Sequence, residues 1–160
     1  MIRVGPVQAA ERAAVDRFLA ANHSAIVARR GEVVDARREQ AVLAESETGE
    51  LLGVATWIDH GDEIELLTLH AARQWSGAGT ALLERVAAIG RDLGRARLWL
   101  VTTNDNVDAL RFYQRRGMRL RALRPGAVDE ARRTIKPGIA ELGDYGIPIR
   151  DELELELDLR

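Results

Sequence analysis

Six consecutive residues, Gln74-Trp75-Ser76-Gly77-Ala78-Gly79, form the pattern of a phosphate-binding loop. They follow a segment, starting at Glu63, in which residues alternate between two faces as in a β-strand. They precede a stretch with apolar residues at three-to-four spacing, which predicts a helix ending near Gly94. The first N–H groups of a helix have no acceptor within it and lie at the positive end of its dipole. The sequence therefore predicts that a phosphate group binds at this loop.

Two better-known glycine motifs do not fit this hexapeptide. A dinucleotide-binding fingerprint requires a third glycine at the position that Leu82 occupies. A P-loop ends in Gly-Lys-Ser or Gly-Lys-Thr, and the only lysine of the chain is Lys136. Taken alone, the hexapeptide also fits a glycine turn that only allows tight packing.

A second motif lies at residues 106–118, which read Asn-x-x-Ala-x-x-x-Tyr and then, after three residues, Gly-Met. In this order and at this spacing, Gln-x-x-Gly-x-Gly and the second motif resemble the two hallmarks of the GNAT superfamily of N-acetyltransferases. The resemblance covers roughly residues 41–123. Two positions depart from the pattern, since Ala71 stands where many members have proline and Met118 where phenylalanine is common.

The resemblance implies an α+β fold in which a mixed central sheet, flanked by helices, is splayed between the strands at residues 63–70 and 97–102. It also implies acetyl-CoA as the co-substrate, with its pantetheine paired to the backbone of the first strand and its pyrophosphate on the glycine loop. No metal is implied. The residues implied in binding acetyl-CoA are Leu67, Thr68, Leu69, Gln74, Trp75, Ser76, Gly77, Ala78, Gly79, Thr80, Asn104, Asn106, Ala109 and Tyr113.

Acetylation of an amine needs proton transfer, because a free alkylamine has a pKa of roughly 10 and reacts only when neutral. The enzyme must also stabilise an oxyanion and return a proton to the CoA sulfur. Glu65 and Glu63 are the candidate bases, on the same predicted strand face as Leu67 and Leu69. Histone-acetylating members have their base at the position of Glu63, and bacterial sequences that look closer keep a glutamate at Glu65. The alternative for each is a solvated charge on a half-exposed strand.

The resemblance implies that Tyr113 is the general acid at the CoA sulfur. The alternative is a tyrosine that packs its ring and has a satisfied hydroxyl. Asn106 is predicted to cap a helix first and to contact the cofactor second, and Asn104 is either a turn residue or a ligand. His70 is interpreted as a surface histidine, and Trp75 either covers the phosphates or contacts a partner.

Composition excludes several classes of function. The 160 residues are 46% apolar and 30% charged, which is typical of one globular domain spanning residues 1–160. A net charge of −2 gives no indication of a nucleic-acid partner. The chain has no cysteine, and its three histidines lack metal-ligand spacing. Without an apolar signal segment or membrane-length run, the prediction is a cytoplasmic protein with no membrane partner.

The remaining pattern predicts the elements that position the motifs. The segment 22–40 has a weak pattern, with a short apolar stretch interrupted by Arg29, Arg30 and Gly31. The last strand alternates leucines with acids, so we expect the acids to face solvent and the strand to offer an edge for a homodimer. The predicted helices cover residues 7–21, 78–93, 106–116 and 128–136; the strands cover 2–4, 41–45, 52–58, 63–70, 97–102, 118–123 and 153–159.

The sequence therefore predicts an N-acetyltransferase that moves an acetyl group from acetyl-CoA directly to a primary amine of an unknown small molecule or peptide. The alternative from another class is a non-catalytic acyl-CoA-binding or regulatory module, and a longer acyl group is a third possibility. Arginines in the segment 22–40, Arg29 and Arg30 among them, predict that the acceptor amine also bears an anion.

Overall fold

The computed structural model describes all residues, Met1–Arg160. Nine strands and four α-helices follow in chain order: β1 (Arg3–Pro6), α1 (Arg12–Ala21), β2 (Ile26–Arg29), β3 (Glu32–Asp35), β4 (Gln40–Glu45), β5 (Leu51–Asp59), β6 (Ile64–Ala71), α2 (Ala78–Asp92), β7 (Arg97–Thr103), α3 (Val107–Arg115), β8 (Arg119–Arg124), α4 (Ala127–Thr134) and β9 (Glu152–Asp158). This mixture confirms the predicted α+β class.

Two compact units make up the chain. The first contains Met1–Ile26, Asp35–Leu98 and Asp158–Arg160, and the second contains Val27–Val34 and Trp99–Leu157. The predicted single domain stays a prediction. Each unit is described by itself below.

The first unit is built on the antiparallel strands β1, β4, β5 and β6, in that spatial order. Helix α2 covers one face of these strands, with Leu82 and Val86 fully buried. The helix lies close to the strands at Gly53, where an added Cβ would lie 2.7 Å from the His70 carbonyl oxygen and 2.9 Å from the Leu82 side chain. A glycine at that position is therefore a packing requirement.

In the second unit the strand order is β7-β9-β8, with β8 and β9 antiparallel. Within this unit, β7 is buried at Trp99 and Leu100. The prediction for the last strand was wrong in two respects. Strand β9 lies between two others, so it offers no edge for pairing. Its acids do not all face solvent, because Glu152 and Glu154 are only 3% and 4% exposed.

The weakly patterned segment 22–40 folds into a β-hairpin of β2 and β3, followed by a short 3₁₀ turn at Ala36–Arg38. Arg30 and Gly31 connect the two strands, and both have positive φ, 52° and 76°. Two consecutive left-handed residues are typical of a type I′ turn, which fits the twist of a two-residue hairpin. None of the helices has the length and apolarity required to cross a membrane.

Candidate active site

The predicted phosphate loop lies in the first unit, between β6 and α2, and is exposed to solvent from Gln74 to Gly77. Trp75 and Gly77 both have left-handed backbone conformations, with φ of 66° and 86°. Such a conformation is unfavourable for a tryptophan, and strained backbone of this kind is concentrated at ligand-binding segments. The Trp75 side chain is 83% exposed, so its ring is not part of the core.

Helix α2 begins immediately after this loop. The Ser76 hydroxyl accepts a hydrogen bond from the Ala78 amide at 3.3 Å and donates to the Arg73 carbonyl at 3.0 Å. These two bonds close the loop on itself and fix the direction in which it enters the helix. The amides of Gly79 and Thr80 follow in the first turn of the helix, at the positive end of its dipole.

Strand β6 contains a β-bulge that changes which side chains share a face. Thr68 pairs with Thr56 and Leu66 pairs with Trp57, so Leu67 is left out of the one-to-one pairing with β5. Directly paired residues of antiparallel strands point to the same side. The register therefore places Glu65, opposite Ile58, on the face of Thr68 and His70, and places Leu66 and Leu69 on the face of α2.

The prediction that Glu63, Glu65, Leu67 and Leu69 share one face of the strand was therefore wrong. A bulge adds one residue to one strand, so simple alternation of faces fails across it. Glu63 lies outside the strand altogether, because β6 begins at Ile64. The backbone at Leu67, where pantetheine pairing is predicted, is the irregular position of the ladder.

The two candidate bases have different surroundings. Glu65 is 1% exposed, and its Oε1 lies 3.0 Å from His60 Nε2. Glu63 is partly exposed, and its carboxylate accepts a hydrogen bond of 2.8 Å from Arg97 Nε. The alternative reading of a solvated charge is therefore wrong for Glu65. For Glu63 the structure shows an ion pair at the end of the hairpin.

Further polar side chains share the face of Glu65. The hydroxyls of Thr56 and Thr68 are buried and lie 2.6 Å apart in a hydrogen bond. His70 was predicted to be a surface histidine, but its ring is partly buried and bonded through Nε2 to the Ser24 hydroxyl. Burial lowers the pKa of the His70 imidazole, because the cationic form loses hydration.

Tyr113 lies in the second unit, on α3, and is 8% exposed. Its ring meets the neighbouring Phe112 edge-on, with ring centroids 5.2 Å apart. Burial raises the pKa of the phenol above its ordinary value, since the anionic form would lose hydration. The role of Tyr113 as a general acid stays a prediction.

The two asparagines of the second unit have structural partners. Asn104 donates to the Pro148 carbonyl at 2.9 Å, and its Oδ1 accepts from the amides of Arg150 and Asp151. These bonds favour the structural alternative for Asn104. Asn106 occupies the N-cap position of α3 without a side-chain capping bond, and its Nδ2 donates to the Thr102 hydroxyl at 3.1 Å. The predicted cap is therefore wrong as a side-chain interaction.

The remaining predicted residues are less constrained. Ala109 is partly buried in the first half of α3, and its role as a cofactor contact stays a prediction. In the hairpin, Arg29 is 6% exposed and pairs with Glu32 at 3.2 Å. Arg30 is exposed and lies 4.6 Å from the Trp99 ring. Arg29 is thus a structural residue, and Arg30 keeps an accessible guanidinium.

Comparison with known proteins establishes the family. A family profile described as "Acetyltransferase (GNAT) family" matches residues 7–118 of the chain. The chain belongs to the GNAT acetyltransferase family. The uncharacterized protein YdhI of Bacillus subtilis is 43% identical to this chain over 110 residues, which are 69% of this chain and 68% of that protein.

Solved structures confirm the GNAT fold. The IAA acetyltransferase from Bacillus cereus matches with a TM-score of 0.74 and 18% identity, covering 99% of both chains. A Bacillus subtilis acetyltransferase in complex with CoA matches with a TM-score of 0.70 and 19% identity, covering 100% of both chains. At these identities the likeness concerns the fold alone.

One polar residue of this GNAT site was missed in the sequence. His60 was assigned no role beyond that of a histidine without metal-ligand spacing, yet its ring contacts the buried Glu65. The signal that could have found it is the hairpin itself. Strands β5 and β6 pair up to Asp59 and Ile64, so a residue just beyond the ladder lies beside the first residues of β6. No group of three or more histidine, aspartate and glutamate side chains is arranged to hold a metal ion.

Proposed function

We propose that the protein transfers the acetyl group of acetyl-CoA directly to a primary amine, with Glu65 as the general base. The observation that carries this proposal is the buried Glu65 carboxylate, two residues from the bulge of the strand that leads into the glycine loop. A buried acid on a bulged strand is an arrangement typical of an active site.

The glycine loop is the proposed site for the CoA pyrophosphate. Its left-handed residues, Trp75 and Gly77, turn the chain directly into α2, and the first amides of α2 supply hydrogen-bond donors for an anion. The loop fits this group, since Gly77 has no side chain to hold the backbone away from it. The assignment is supported by the structurally similar Bacillus subtilis acetyltransferase, which was solved in complex with CoA.

Glu65 is a better candidate base than Glu63 because it is buried and contacts a histidine. Glu63 is partly exposed and accepts a hydrogen bond from the Arg97 guanidinium. Glu65 faces an imidazole, which exchanges protons itself. In the proposed reaction, Glu65 takes a proton from the ammonium form of the acceptor, directly or through water.

The amine nitrogen then attacks the thioester carbonyl, a C–N bond forms, and the C–S bond breaks. The leaving sulfur takes up a proton, so that the products are the amide and free CoA. Tyr113 is the proposed donor to this sulfur. Because burial keeps the phenol protonated, its O–H is available to the sulfur throughout the neutral range.

The test is a screen of amines and peptides with acetyl-CoA, in which release of free CoA is measured. For an amine that is acetylated, Glu65→Gln should lower kcat by a factor on the order of 10², while the matched variant Glu63→Gln should stay within a few fold of wild type. Equal effects of the two variants would contradict Glu65 as the base. Tight CoA binding without turnover of any amine would favour the non-catalytic module instead.

Arg30 gives one expectation for the acceptor amine in this screen. Its guanidinium is accessible and suits a carboxylate or phosphate of an anionic amine. Cytoplasmic residence, homodimer formation, a longer acyl group and the absence of nucleic-acid or membrane partners stay predictions from the sequence.

A further inference from the structure

Three acidic side chains at the end of the β5–β6 hairpin have partners of two kinds. Glu65 faces the imidazole of His60, with Oε1 and Nε2 3.0 Å apart. The other two acids are paired with arginines, Asp59 with Arg95 at 2.6 and 2.8 Å, and Glu63 with Arg97 at 2.8 Å.

The two kinds of partner differ in what they can do with a proton. A guanidinium stays protonated under all ordinary conditions, so it holds a carboxylate in place and carries no proton away from it. An imidazole accepts a proton at one nitrogen and releases one from the other. Among these three acids, Glu65 is therefore the one that the structure joins to a proton carrier.

The hydrogen bond between Glu65 and His60 also connects a buried side chain to one that is exposed to solvent. Glu65 is 1% exposed, whereas the side chain of His60 is 37% exposed. A buried carboxyl group that takes a proton in each catalytic cycle must lose it before the next one. The half-exposed ring of His60 offers a route for that proton.

We propose that His60 is the positioning residue that holds Glu65 and passes the proton of the acceptor amine from it to solvent. This inference rests on the proposed function, in which Glu65 is the base. The ammonium group loses a proton to the Glu65 carboxylate. That proton crosses the bond from Oε1 to Nε2 and gives an imidazolium, whose Nδ1–H then passes a proton to water. Glu65 is again ionised, and exchange of ring protons with water returns the imidazole to its starting tautomer, so that the net result is one neutral amine and one proton in solvent.

The charges around His60 are compatible with a transient imidazolium. The ion pairs Asp59–Arg95 and Glu63–Arg97 are each close to neutral, and Asp62 in the turn adds one negative charge.

The test compares His60→Ala and His60→Gln with wild type, using an amine that the wild-type protein acetylates. Glutamine can keep a hydrogen bond to Glu65 but cannot carry the proton. Both variants should lower kcat by roughly 10- to 100-fold, with an unchanged KM for acetyl-CoA. Added imidazole should restore most of the activity of His60→Ala and none of that of the double variant His60→Ala, Glu65→Gln. The matched control is His23→Asn at an exposed histidine, since asparagine tolerates its positive φ of 55°.

Three results separate the possible failures. Wild-type kcat in His60→Gln, together with a loss in Glu65→Gln, would overturn the relay and leave the proposed base intact. A loss in His60→Ala that imidazole does not restore, with an unchanged circular dichroism spectrum, would reduce His60 to a structural partner. Failure of the wild-type protein to acetylate any amine would overturn the proposed function, and the relay with it.

Discussion

Replacement of Gly53 by alanine should destabilise the protein and weaken CoA binding together. An alanine methyl group at this position would lie 2.7 Å from the His70 carbonyl oxygen, 2.9 Å from Leu82 Cδ1 and 3.3 Å from Ala71 Cα. Ordinary van der Waals contact begins at 3.4 Å, so the first of these contacts is about 0.7 Å too short. Two of the three atoms belong to the backbone of β6, which cannot move aside as a side chain can.

The cost follows from the kind of atom that must move. Overpacking of a well-packed interior costs about 1–3 kcal/mol, and a shift of backbone favours the upper part of that range. For a chain of this size each kcal/mol lowers the melting temperature by about 2–4 °C, so the expected decrease is roughly 2 to 12 °C. Since His70 and Ala71 end the strand that leads into the glycine loop, CoA affinity should fall several-fold as well.

Thermal unfolding by circular dichroism and CoA titration by calorimetry measure the two effects. The matched control is Gly5→Ala in β1, where an added Cβ has no heavy atom within 4 Å. That change should leave stability unchanged or raise it by about 0.4–1 kcal/mol, because alanine has less entropy to lose on folding. Equal melting temperatures for the two variants would refute the view that close packing of α2 and β6 requires a glycine at position 53.

Three further changes test the site. Tyr113→Phe should lower kcat by a factor on the order of 10² with unchanged CoA affinity. This factor should be constant from about pH 6 to 9, because burial raises the pKa of the phenol above this range. A factor that changes with pH would contradict the role of the phenol as proton donor. Gly79→Glu should abolish CoA binding in calorimetry through steric block and charge repulsion, whereas Gly138→Glu, in open space, should not. Asp59→Asn should lower the melting temperature at pH 7, with Asp62→Asn as control. The Arg95 guanidinium holds the pKa of Asp59 at about 2, below its ordinary value of 3.8. The stabilisation from this ion pair is therefore present above pH 3.8 and is lost as the pH falls towards 2. A difference in melting temperature between the variant and wild type that persists at pH 2 would contradict the pairing.

The elements around the glycine loop could be predicted from the sequence because their signals are local. The apolar spacing of α2 and the unbroken apolar run of β7 each reflect one buried surface. Residues 78–93 and 97–102 were predicted, and the structure has Ala78–Asp92 and Arg97–Thr103. Glycines at both ends of α2, among them Gly77 and Gly94, marked the limits of that helix.

The faces of β6 and β9 could not be predicted, because they depend on partners distant in the sequence. The bulge at Leu67 is a property of the pairing with β5, and alternation within β6 gives no indication of it. In β9 the alternation of leucine and acid suggests a solvated face. Glu154 is instead buried beside the Arg124 guanidinium at 2.8 Å, and Glu152 accepts the Arg30 amide at 3.1 Å. Buried acids with such partners retain their hydrogen bonds away from water.

The position of the proposed phosphate site depends on the packing of α2 as well as on the hydrogen bonds of Ser76 within the loop. Near its start the helix meets Gly53 through Leu82, and near its end Gly90 meets the side chains of Ile64 and Leu159 at 2.7–2.8 Å for an added Cβ. Gly53 of β5 near the start of the 15-residue helix, and Gly90 of the helix itself near its end, let α2 lie against the strands along its length. The loop itself is exposed, so it has little packing of its own to hold it. Because α2 packs closely against the strands at both ends, the direction of its dipole and the position of its first amides are fixed. Recognition of a pyrophosphate requires both.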